Sequence, residues 1–304
     1  MTTRLSLRDA LLALGIVFVW GTNFAIIRIG LDVLPPLFFV TLRFALVFLP
    51  AALFVKRPKV PWKYLILYGI CSGPLQFGLL FFAMNGMISP GLASLMLQMQ
   101  VFFTIAIAMG RQGERVAAHQ MAAFGLALAG MGVIAAHNGH GVTLEGLALV
   151  LLAAMSWAIS NQTAREAARD AAARGQSLNM LGFIVWAALV STPLLLAASL
   201  ASEGPAAILK SVHQAGLVTW AAVIWQSSGN TMFGFACWAW LLARYPAATI
   251  SPMSLLVPVF GFAASAVLLG EPLPLWKIGA TLLIMGGLGI NLLWRPKKIV
   301  PAGD

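Results

Sequence analysis

The chain has 304 residues, of which 60% are hydrophobic and only 9% are charged, and its mean hydropathy is +0.90. Soluble domains contain about a quarter charged residues, so this composition excludes an ordinary soluble protein. A net charge of +10 would suggest nucleic-acid binding in a soluble protein, but here the basic residues flank apolar segments, as membrane topology requires. The expected surroundings are therefore membrane lipid, with no nucleic-acid partner.

Ten apolar runs follow one another, each near the length of about 20 residues that a helix needs to cross a bilayer. The runs are continuous rather than alternating, which favours helices over strands. The first run is too long for the apolar part of a signal peptide, so no cleaved leader is expected. The predicted spans are 9–31, 36–55, 64–84, 90–110, 118–137, 144–164, 178–200, 215–242, 247–269 and 274–294.

The basic residues lie mostly on one side of these spans. With ten spans both termini share a side, and that side holds 15 of the 19 lysines and arginines. The other side holds Lys210 and Lys277, while Arg28 and Arg43 lie within spans. The positive-inside rule therefore predicts a multi-pass protein of the bacterial cytoplasmic (inner) membrane with both termini in the cytoplasm.

The two halves of the chain resemble each other weakly but in the same order. The segment "SGPLQFG" at 72–78 matches "SGNTMFG" at 228–234, and further matches lie on either side. Five spans per copy is an odd number, so the two copies would cross the membrane in opposite senses, as in many secondary transporters. The sequence predicts an all-α integral membrane fold of ten transmembrane helices built from two inverted five-helix repeats, residues 1–138 and 139–304.

Spans 1 and 6 each carry a tryptophan and an asparagine on one helical face. Trp20 and Asn23 are three residues apart, and Trp157 and Asn161 are four apart. One interpretation is a substrate cavity, in which the amide binds the charged ends of a zwitterion and the indole packs against its side chain. The other is that the asparagines join helices by hydrogen bonds.

Two arginines lie within spans. Arg43 lies seven residues past Pro36, so a substrate carboxylate and a helix-end carbonyl are both candidate partners. Arg28 is followed four residues later by Asp32, which predicts a local ion pair.

Uncharged polar residues occupy spans 3, 4 and 8. Gln76 lies in span 3, and Gln98 and Gln100 lie in span 4, two residues apart, so at most one of the pair is expected to face a cavity. Span 8 has the densest polar cluster, including Gln226 and Asn230 around a glycine. This cluster is either a locally unwound segment of the site or a face that packs against neighbouring helices.

Other features leave alternatives open. Trp186 in span 7 can line a cavity or anchor the helix at the membrane interface. The spacing of Gly125 and Ala129 allows a close helix approach, within a monomer or in a homodimer. Two loop histidines, His137 and His140, make only a weak metal site, so no metal and no cofactor is expected.

The interior of the predicted spans contains no Asp or Glu, and the chain has no phosphate-binding loop of the Walker type. Proton-coupled carriers usually keep an intramembrane carboxylate. The sequence therefore favours transport driven by the substrate's own gradient over coupling to protons or ATP.

The segments "VWGTNFAIIRIGL", "GLASLMLQMQVFFT", "SPMSLLVPVFG" and "LIMGGLGIN" resemble the EamA family of the drug/metabolite transporter superfamily, from about residue 10 to 294. "PPLFFVTLRF", "RPKVP" and "LLARY" are most similar to the O-acetylserine/cysteine exporters, and the YddG-type aromatic amino-acid exporters are related. Many members carry a proline in span 4 where Gln100 stands, while Pro258 keeps the proline in the second half.

The resemblance implies a non-enzymatic secondary transporter that exports amino acids and related metabolites by alternating access. Efflux of cationic drugs or dyes and a membrane-embedded enzyme are the alternatives. The candidate substrate-binding residues are Trp20, Asn23, Arg43, Gln76, Gln98, Trp157, Asn161, Trp186, Gln226 and Asn230.

Overall fold

The computed structural model describes residues 6–112, 118–137, 139–245 and 250–293. Within these ranges the regular secondary structure is helical, and the β-structure consists of one isolated bridge between Ile88 and Val142. The all-α class is therefore confirmed for the part of the chain that is described.

Helices cover each of the ten predicted runs, and a further short helix precedes the eighth. In chain order they are α1 (Leu7–Leu31), α2 (Pro36–Ala51), α3 (Trp62–Met84), α4 (90–112), α5 (Ala118–Ala136), α6 (Leu144–Ala173), α7 (Met180–Ser202), α8 (Pro205–Gln214), α9 (217–244), α10 (251–269) and α11 (Leu275–Leu293).

Local sequence signals explain several helix ends. Ser6 begins α1, where its hydroxyl accepts a hydrogen bond from Asp9 N at 3.2 Å. Thr143 and Asn179 cap α6 and α7 in the same way, and each satisfies an N–H that has no partner within the helix. Gly270 ends α10 at a φ of +66°, a left-handed conformation that glycine adopts without steric cost.

Six helices are long and apolar enough to cross a membrane by length and composition, namely α1, α3, α4, α5, α6 and α7. A seventh candidate is the pair α8 and α9, which is bent by 108°. Shorter apolar helices, of 10–17 residues, are α2, the Met253–Leu269 part of α10 and the Leu275–Ile290 part of α11. One reason for the short α2 is that Pro36 begins it and Pro50 lies in its last turn. The length test thus supports six or seven spans, fewer than the ten predicted.

Four helical segments depart from α-helical geometry, and all four contribute to the cavity described below. The helices α3 and α9 contain π-helical segments at Cys71–Gly78 and Trp225–Phe233. A 3-10 turn at Leu97–Met99 interrupts α4, and a 3-10 segment at Ser251–Leu255 begins α10. The two segments with matching sequences, "SGPLQFG" and "SGNTMFG", therefore coincide with the two π-helical segments except for the last residue of the second.

The helices pack in a regular pattern of pairs. Extensive contacts join α1 to α10, α4 to α6, α2 to α7, and α5 to α11. The helix α3 packs on α6 and α7, and α9 packs on α1 and α2. This arrangement surrounds the centre of the molecule with helices from both halves of the chain.

Glycines permit the close approach of α5 and α11. A Cβ added at Gly287 would lie 2.4 Å from the carbonyl oxygen of Ala123, and one added at Gly130 would lie 2.6 Å from Ile284 Cγ1. Gly125, the position selected from the sequence, has nothing within 4 Å of an added Cβ. Within this chain the residues of α5 that make the close contact are therefore Ala123 and Gly130, and not Gly125.

Two glutamates connect the ends of helices. The Glu203 carboxylate, at the end of α7, accepts hydrogen bonds from Leu37 N at 2.6 Å and Phe38 N at 3.0 Å, in the first turn of α2. Ser199 also donates to it, at 2.6 Å. A carboxylate at a helix N-terminus satisfies free N–H groups and interacts favourably with the helix dipole.

The second glutamate, Glu271, follows α10 and bonds to the start of α4. It accepts hydrogen bonds from the Ser89 hydroxyl and from Gly91 N, the latter at 3.2 Å. A buried ion pair with Lys277, 2.7 Å from Nζ to Oε1, compensates its charge.

Replacement of Glu203 by alanine should destabilise the protein, because the first turn of α2 loses its acceptor. We expect the free energy of unfolding to fall by about 1.5–3 kcal/mol, as for hydrogen bonds to a charged group. Thermal unfolding in detergent measures this, with Glu145→Ala as control because Glu145 is exposed in the first turn of α6. Equal midpoints for the two variants would contradict the capping role.

Candidate functional site

A cavity of about 590 Å³ lies where α1, α3, α4, α6, α7, α9 and α10 meet. This volume is within the range of about 300–1,000 Å³ typical of small-molecule sites. The described lining residues combine aromatic and aliphatic side chains with amides, hydroxyls and one guanidinium, that of Arg165. No carboxylate occurs among these described lining residues, so the cavity has a slight positive character.

Seven of the ten candidate substrate-binding residues line this cavity. They are Trp20, Asn23, Gln76, Gln98, Trp157, Asn161 and Asn230. The cavity thus brings together the tryptophan–asparagine pairs of α1 and α6, which the sequence places in different halves.

Trp186 does not line the cavity. Its indole N–H donates to the carbonyl oxygen of Val55 at 2.9 Å, and its ring packs edge-on against Phe48 with centroids 5.9 Å apart. The side chain therefore joins α7 to the end of α2 and the loop that follows it.

Arg43 and Gln226 lie behind the cavity wall and are fully buried, each with 0% exposure. Arg43 Nη1 donates to Gln226 Oε1 at 2.8 Å, and Gln226 Nε2 donates to Asn23 Oδ1 at 2.7 Å. The Arg43 guanidinium carbon also lies 3.7 Å from the centre of the Phe77 ring. A buried charge is thereby connected through two side-chain hydrogen bonds to Asn23, which does line the cavity.

Trp20 is fixed against the π-helical segment of α9. Its indole N–H donates to the carbonyl oxygen of Asn230 at 3.2 Å. Its ring packs on Trp238 and Phe235, with centroids 5.1 and 5.5 Å away. Gly234 makes this approach possible, because a Cβ added there would lie 2.3 Å from Trp20 Nε1. The aromatic wall of the cavity therefore depends on a single glycine.

Gln98 and Gln100 both line the cavity, so the prediction that at most one would face it is wrong. The physical reason is the 3-10 turn at Leu97–Met99. With about three residues per turn, side chains two apart are separated by about 120° around the axis, against about 160° in an α-helix. A cavity that curves around α4 can then contact both.

The two glutamines bond to different neighbours. Asn161 Nδ2 donates to Gln100 Oε1 at 3.1 Å, and Thr104 Oγ1 approaches the same oxygen at 3.4 Å. Gln98 Nε2 donates to the carbonyl oxygen of Ser254 at 3.3 Å, in the 3-10 segment of α10. Gln100 thus joins the amide of α6 to α4.

The lining residues that were absent from the sequence-based set include Tyr68 and Arg165. The signal for Arg165 was present, because Trp157, Asn161 and Arg165 follow at intervals of four and therefore share one face of α6. Its position near the end of the predicted span made it look like a loop charge instead.

Two further expectations concern side chains outside the cavity. The predicted ion pair of Arg28 and Asp32 is confirmed, at 2.8 Å. The His137 ring stacks on the Trp276 ring with centroids 4.4 Å apart, and the His140 ring lies 6.3 Å from the His137 ring. Among the described residues no group of three or more His, Cys, Asp or Glu side chains is placed to hold a metal ion.

Comparison with known proteins gives the family. The EamA-like transporter family matches residues 7–136 and again residues 144–293. This chain belongs to that family. The EamA-like match covers almost the entire described structure, so the α-helical bundle is that of a membrane transporter family.

Relatives within the EamA-like family carry names related to export. The chain is 39% identical over 290 residues to a probable amino-acid metabolite efflux pump of Salmonella typhimurium, covering 95% of this chain and 96% of that protein. It is 38% identical to a protein of the same description from Escherichia coli, covering 99% and 100%. A probable terminal-alkyne amino-acid exporter of Streptantibioticus cattleyicolor is 29% identical, covering 90% of each chain.

A crystal structure supports the fold of this EamA-like chain. Its TM-score with this structure is 0.64 at 18% sequence identity, and the match covers 97% of this chain and 99% of the other. At this identity the similarity concerns the fold alone.

Replacement of Gly234 by alanine should displace the Trp20 indole, because the new Cβ would overlap its nitrogen. We expect a loss of about 1–3 kcal/mol in the free energy of unfolding, as for overpacked sites. Gly229→Ala is the matched control, five residues earlier in α9, since its nearest contact would be an ordinary 3.5 Å to Trp225. That control should be neutral or stabilising, by up to about 1 kcal/mol, because alanine favours helices. Thermal unfolding in detergent compares them, and a Gly234→Ala midpoint at or above wild type would contradict this packing.

Proposed function

We propose that this protein is a secondary transporter that exports amino acids and related metabolites across the bacterial cytoplasmic membrane by alternating access. The observation that carries the proposal is the cavity among seven helices, lined by amides and indoles from both halves of the chain. Membership in a transporter family and the names of the Salmonella and Escherichia relatives support it. The same membership favours transport over a membrane-embedded enzyme.

The architecture that we propose for this transport is ten spans in two inverted repeats, residues 1–138 and 139–304. If the two repeats are exchanged, α1 (span 1) takes the place of α6 (span 6), and α4 (span 4) takes the place of α10 (span 9). The contact of α1 with α10 then becomes that of α6 with α4, while the pairs α2–α7 and α5–α11 map onto themselves. The contacts of α3 with α6 and α7 likewise become those of α9 with α1 and α2. This exchange of contacts supports a pseudo-twofold relation.

Contacts between helix ends support ten alternating crossings with both termini in the cytoplasm. Asp9, at the start of α1, accepts a hydrogen bond from the Tyr245 hydroxyl just after α9, and both lie at proposed cytoplasmic ends. Glu203 and Glu271 join proposed periplasmic ends. Arg174, just after α6, donates to the carbonyl oxygen of Lys59 at 3.2 Å, again within the proposed cytoplasmic side. Each of these contacts joins ends that the proposed topology assigns to one side.

In this topology the cavity extends from the middle of the bundle toward the cytoplasm. Arg165 and Ala168 near the end of α6, and Met180 at the start of α7, form its cytoplasmic part. The helix-end contacts of Glu203 and Glu271 lie at the opposite end of the bundle. We therefore assign the structure to a cytoplasm-facing state, which suits the loading step of an exporter.

The lining chemistry favours zwitterions over cations. The described lining has a guanidinium and no carboxylate, so a substrate carboxylate is attracted while a second positive charge finds no anionic partner. The indoles of Trp20, Trp157 and Trp238 can pack against apolar side chains or bind an ammonium through cation–π contact. These indoles are the feature that favours the second candidate function, efflux of cationic drugs or dyes.

The described lining also contains no group that titrates near neutral pH, because it consists of amides, hydroxyls, indoles, a phenol and a guanidinium besides its apolar side chains. A proton cycle needs such a group. This composition supports transport driven only by the substrate gradient.

Counterflow in proteoliposomes tests the function with labelled threonine, methionine, cysteine, phenylalanine and tryptophan, and with a cationic dye as competitor. Asn23→Phe should reduce amino-acid counterflow at least about tenfold, equivalent to about 1.4 kcal/mol, because the ring fills the cavity. Thr22→Phe, at the neighbouring position, is the control. Thr22 does not line the cavity, and its hydroxyl donates to the carbonyl oxygen of Phe18 in the same helix, at 2.8 Å.

In the same vesicles an imposed pH gradient should leave the wild-type rate unchanged. Acceleration by the gradient would contradict uncoupled transport. Absence of counterflow for every amino acid of the panel would contradict the proposed function, and competition by the dye alone would favour the second candidate.

A further inference from the structure

Arg43 is a buried cation whose donors are only partly used. It has 0% exposure, and its Nε and Nη2 atoms have no hydrogen-bond partner among the described residues. The Phe77 ring, 3.7 Å away, and the more distant Phe44 ring contact the guanidinium by cation–π interaction. An arginine that served only to join helices would be expected to fill these donors with carbonyl oxygens. Its single side-chain hydrogen bond, to Gln226, is therefore informative.

That hydrogen bond fixes the orientation of two amides. Arginine has donors and no acceptor, so Gln226 must direct its carbonyl oxygen toward Arg43. The Gln226 NH₂ group then faces Asn23, which must accept with its own carbonyl oxygen. The remaining group of Asn23 is its NH₂, and Asn23 lines the cavity. A rotation of either amide would place two donors or two acceptors against each other.

We propose that Arg43, Gln226 and Asn23 form an amide relay that makes the Asn23 end of the cavity the binding site for the substrate's carboxylate. The proposal rests on the proposed function and adds to it the recognition of one chemical group. Asn23 is the binding residue, whereas Arg43 and Gln226 are positioning residues that act through it. The positive charge behind the wall polarises the chain of hydrogen bonds, so the Asn23 NH₂ becomes a stronger donor to an anion.

The corresponding asparagine of the second half lacks such an anchor. Asn161 donates to Gln100, and Gln100 also accepts from Thr104, so no charged side chain of the described residues fixes the orientation of this pair. The hydrogen bond to Gln100 uses the Asn161 NH₂ and leaves the Asn161 carbonyl oxygen as the acceptor. Asn161 is therefore suited to the substrate's ammonium group, and the two halves bind opposite ends of a zwitterion.

Arg165 is the other cation that a substrate carboxylate meets. It lies one helical turn beyond Asn161, toward the cytoplasmic end of the cavity in the proposed topology. A cation at the entrance raises the local concentration of anionic groups. Selectivity for a carboxylate at the Asn23 end of the cavity would then depend on the relay rather than on Arg165.

The test compares an amino acid with its carboxamide, which keeps the ammonium and the side chain but replaces the carboxylate. Unlabelled phenylalanine and phenylalaninamide compete with labelled phenylalanine in proteoliposome counterflow, or the best-carried amino acid of the panel takes its place. The readout is the ratio of the two half-inhibitory concentrations, carboxamide over amino acid. A variant that only lowers the amount of folded protein leaves this ratio unchanged.

Gln226→Glu should lower the ratio at least about tenfold, the effect of losing one hydrogen bond to a charged group. The glutamate pairs with Arg43 and has no donor for Asn23, so Asn23 turns its NH₂ inward and offers the cavity an oxygen. Thr231→Val is the control in the same π-helical segment, because the Thr231 hydroxyl bonds to the Gln226 backbone at 2.8 Å and not to its amide. Its ratio should equal that of wild type.

A second pair of variants keeps the test decisive if Gln226→Glu does not fold. Asn23→Asp places a negative charge at the carboxylate end and should lower the ratio by at least about tenfold. The identical change at the other half, Asn161→Asp, should lower it less, because the new charge lies at the ammonium end. An unchanged ratio in folded Gln226→Glu, or equal ratios in Asn23→Asp and Asn161→Asp, would overturn the relay. Wild-type protein that carries no amino acid would instead refute the proposed function.

Discussion

Each hydrogen-bonding group inside this apolar bundle must find a partner within the protein, because lipid offers none and an unsatisfied group costs several kcal/mol. The structure meets this requirement in three ways. Glu203 and Glu271 bond to the first turns of α2 and α4. Serine and threonine hydroxyls bond to carbonyl oxygens of their own helices, as Ser160 and Thr163 do in α6. Several other polar side chains, among them Asn23, Gln98 and Asn161, line one cavity, where a substrate can complete their hydrogen bonds. The position of the site thus follows from the same constraint that holds the helices together.

The π-helical segments connect this constraint to function. Each one breaks the regular α-helical hydrogen bonding near the centre of the bundle, at a cost in helix stability that recurs at functional sites. In α9 the segment brings the Asn230 carbonyl to the Trp20 indole and buries Gln226 against Arg43. In α3 it contributes Gln76 and Phe77 to the cavity wall. Two matched irregular segments in otherwise regular helices are consistent with an exchange between two conformations, since weakened hydrogen bonding lowers the barrier to local rearrangement.

The sequence predicted what depends on local pattern. Apolar run length located the helices, and the spacing of Trp20 with Asn23 and of Trp157 with Asn161 selected residues that meet at one cavity. Prediction from the sequence failed where contacts between residues distant in the chain determine the position of a side chain. The hydrogen bond of Arg43 to Gln226 joins residues 183 positions apart and is not encoded in either helix alone. Gln98 and Gln100 both face the cavity because of a 3-10 turn, and no glycine or proline in that turn indicates it in the sequence. Trp186 is of a residue type that often lines cavities, but its indole N–H donates to the carbonyl oxygen of Val55 and so joins helices instead.

The central claim is that the cavity binds the transported amino acid and opens to the cytoplasm. Thr104 lines the cavity and is close to cysteine in size, so Thr104→Cys in a background with Cys71→Ala and Cys237→Ala gives a single thiol at the site. A membrane-impermeant maleimide applied to inside-out vesicles should label this thiol, and the transported amino acid should slow the labelling in a saturable manner. Labelling that proceeds at the same rate with every amino acid present would contradict the account.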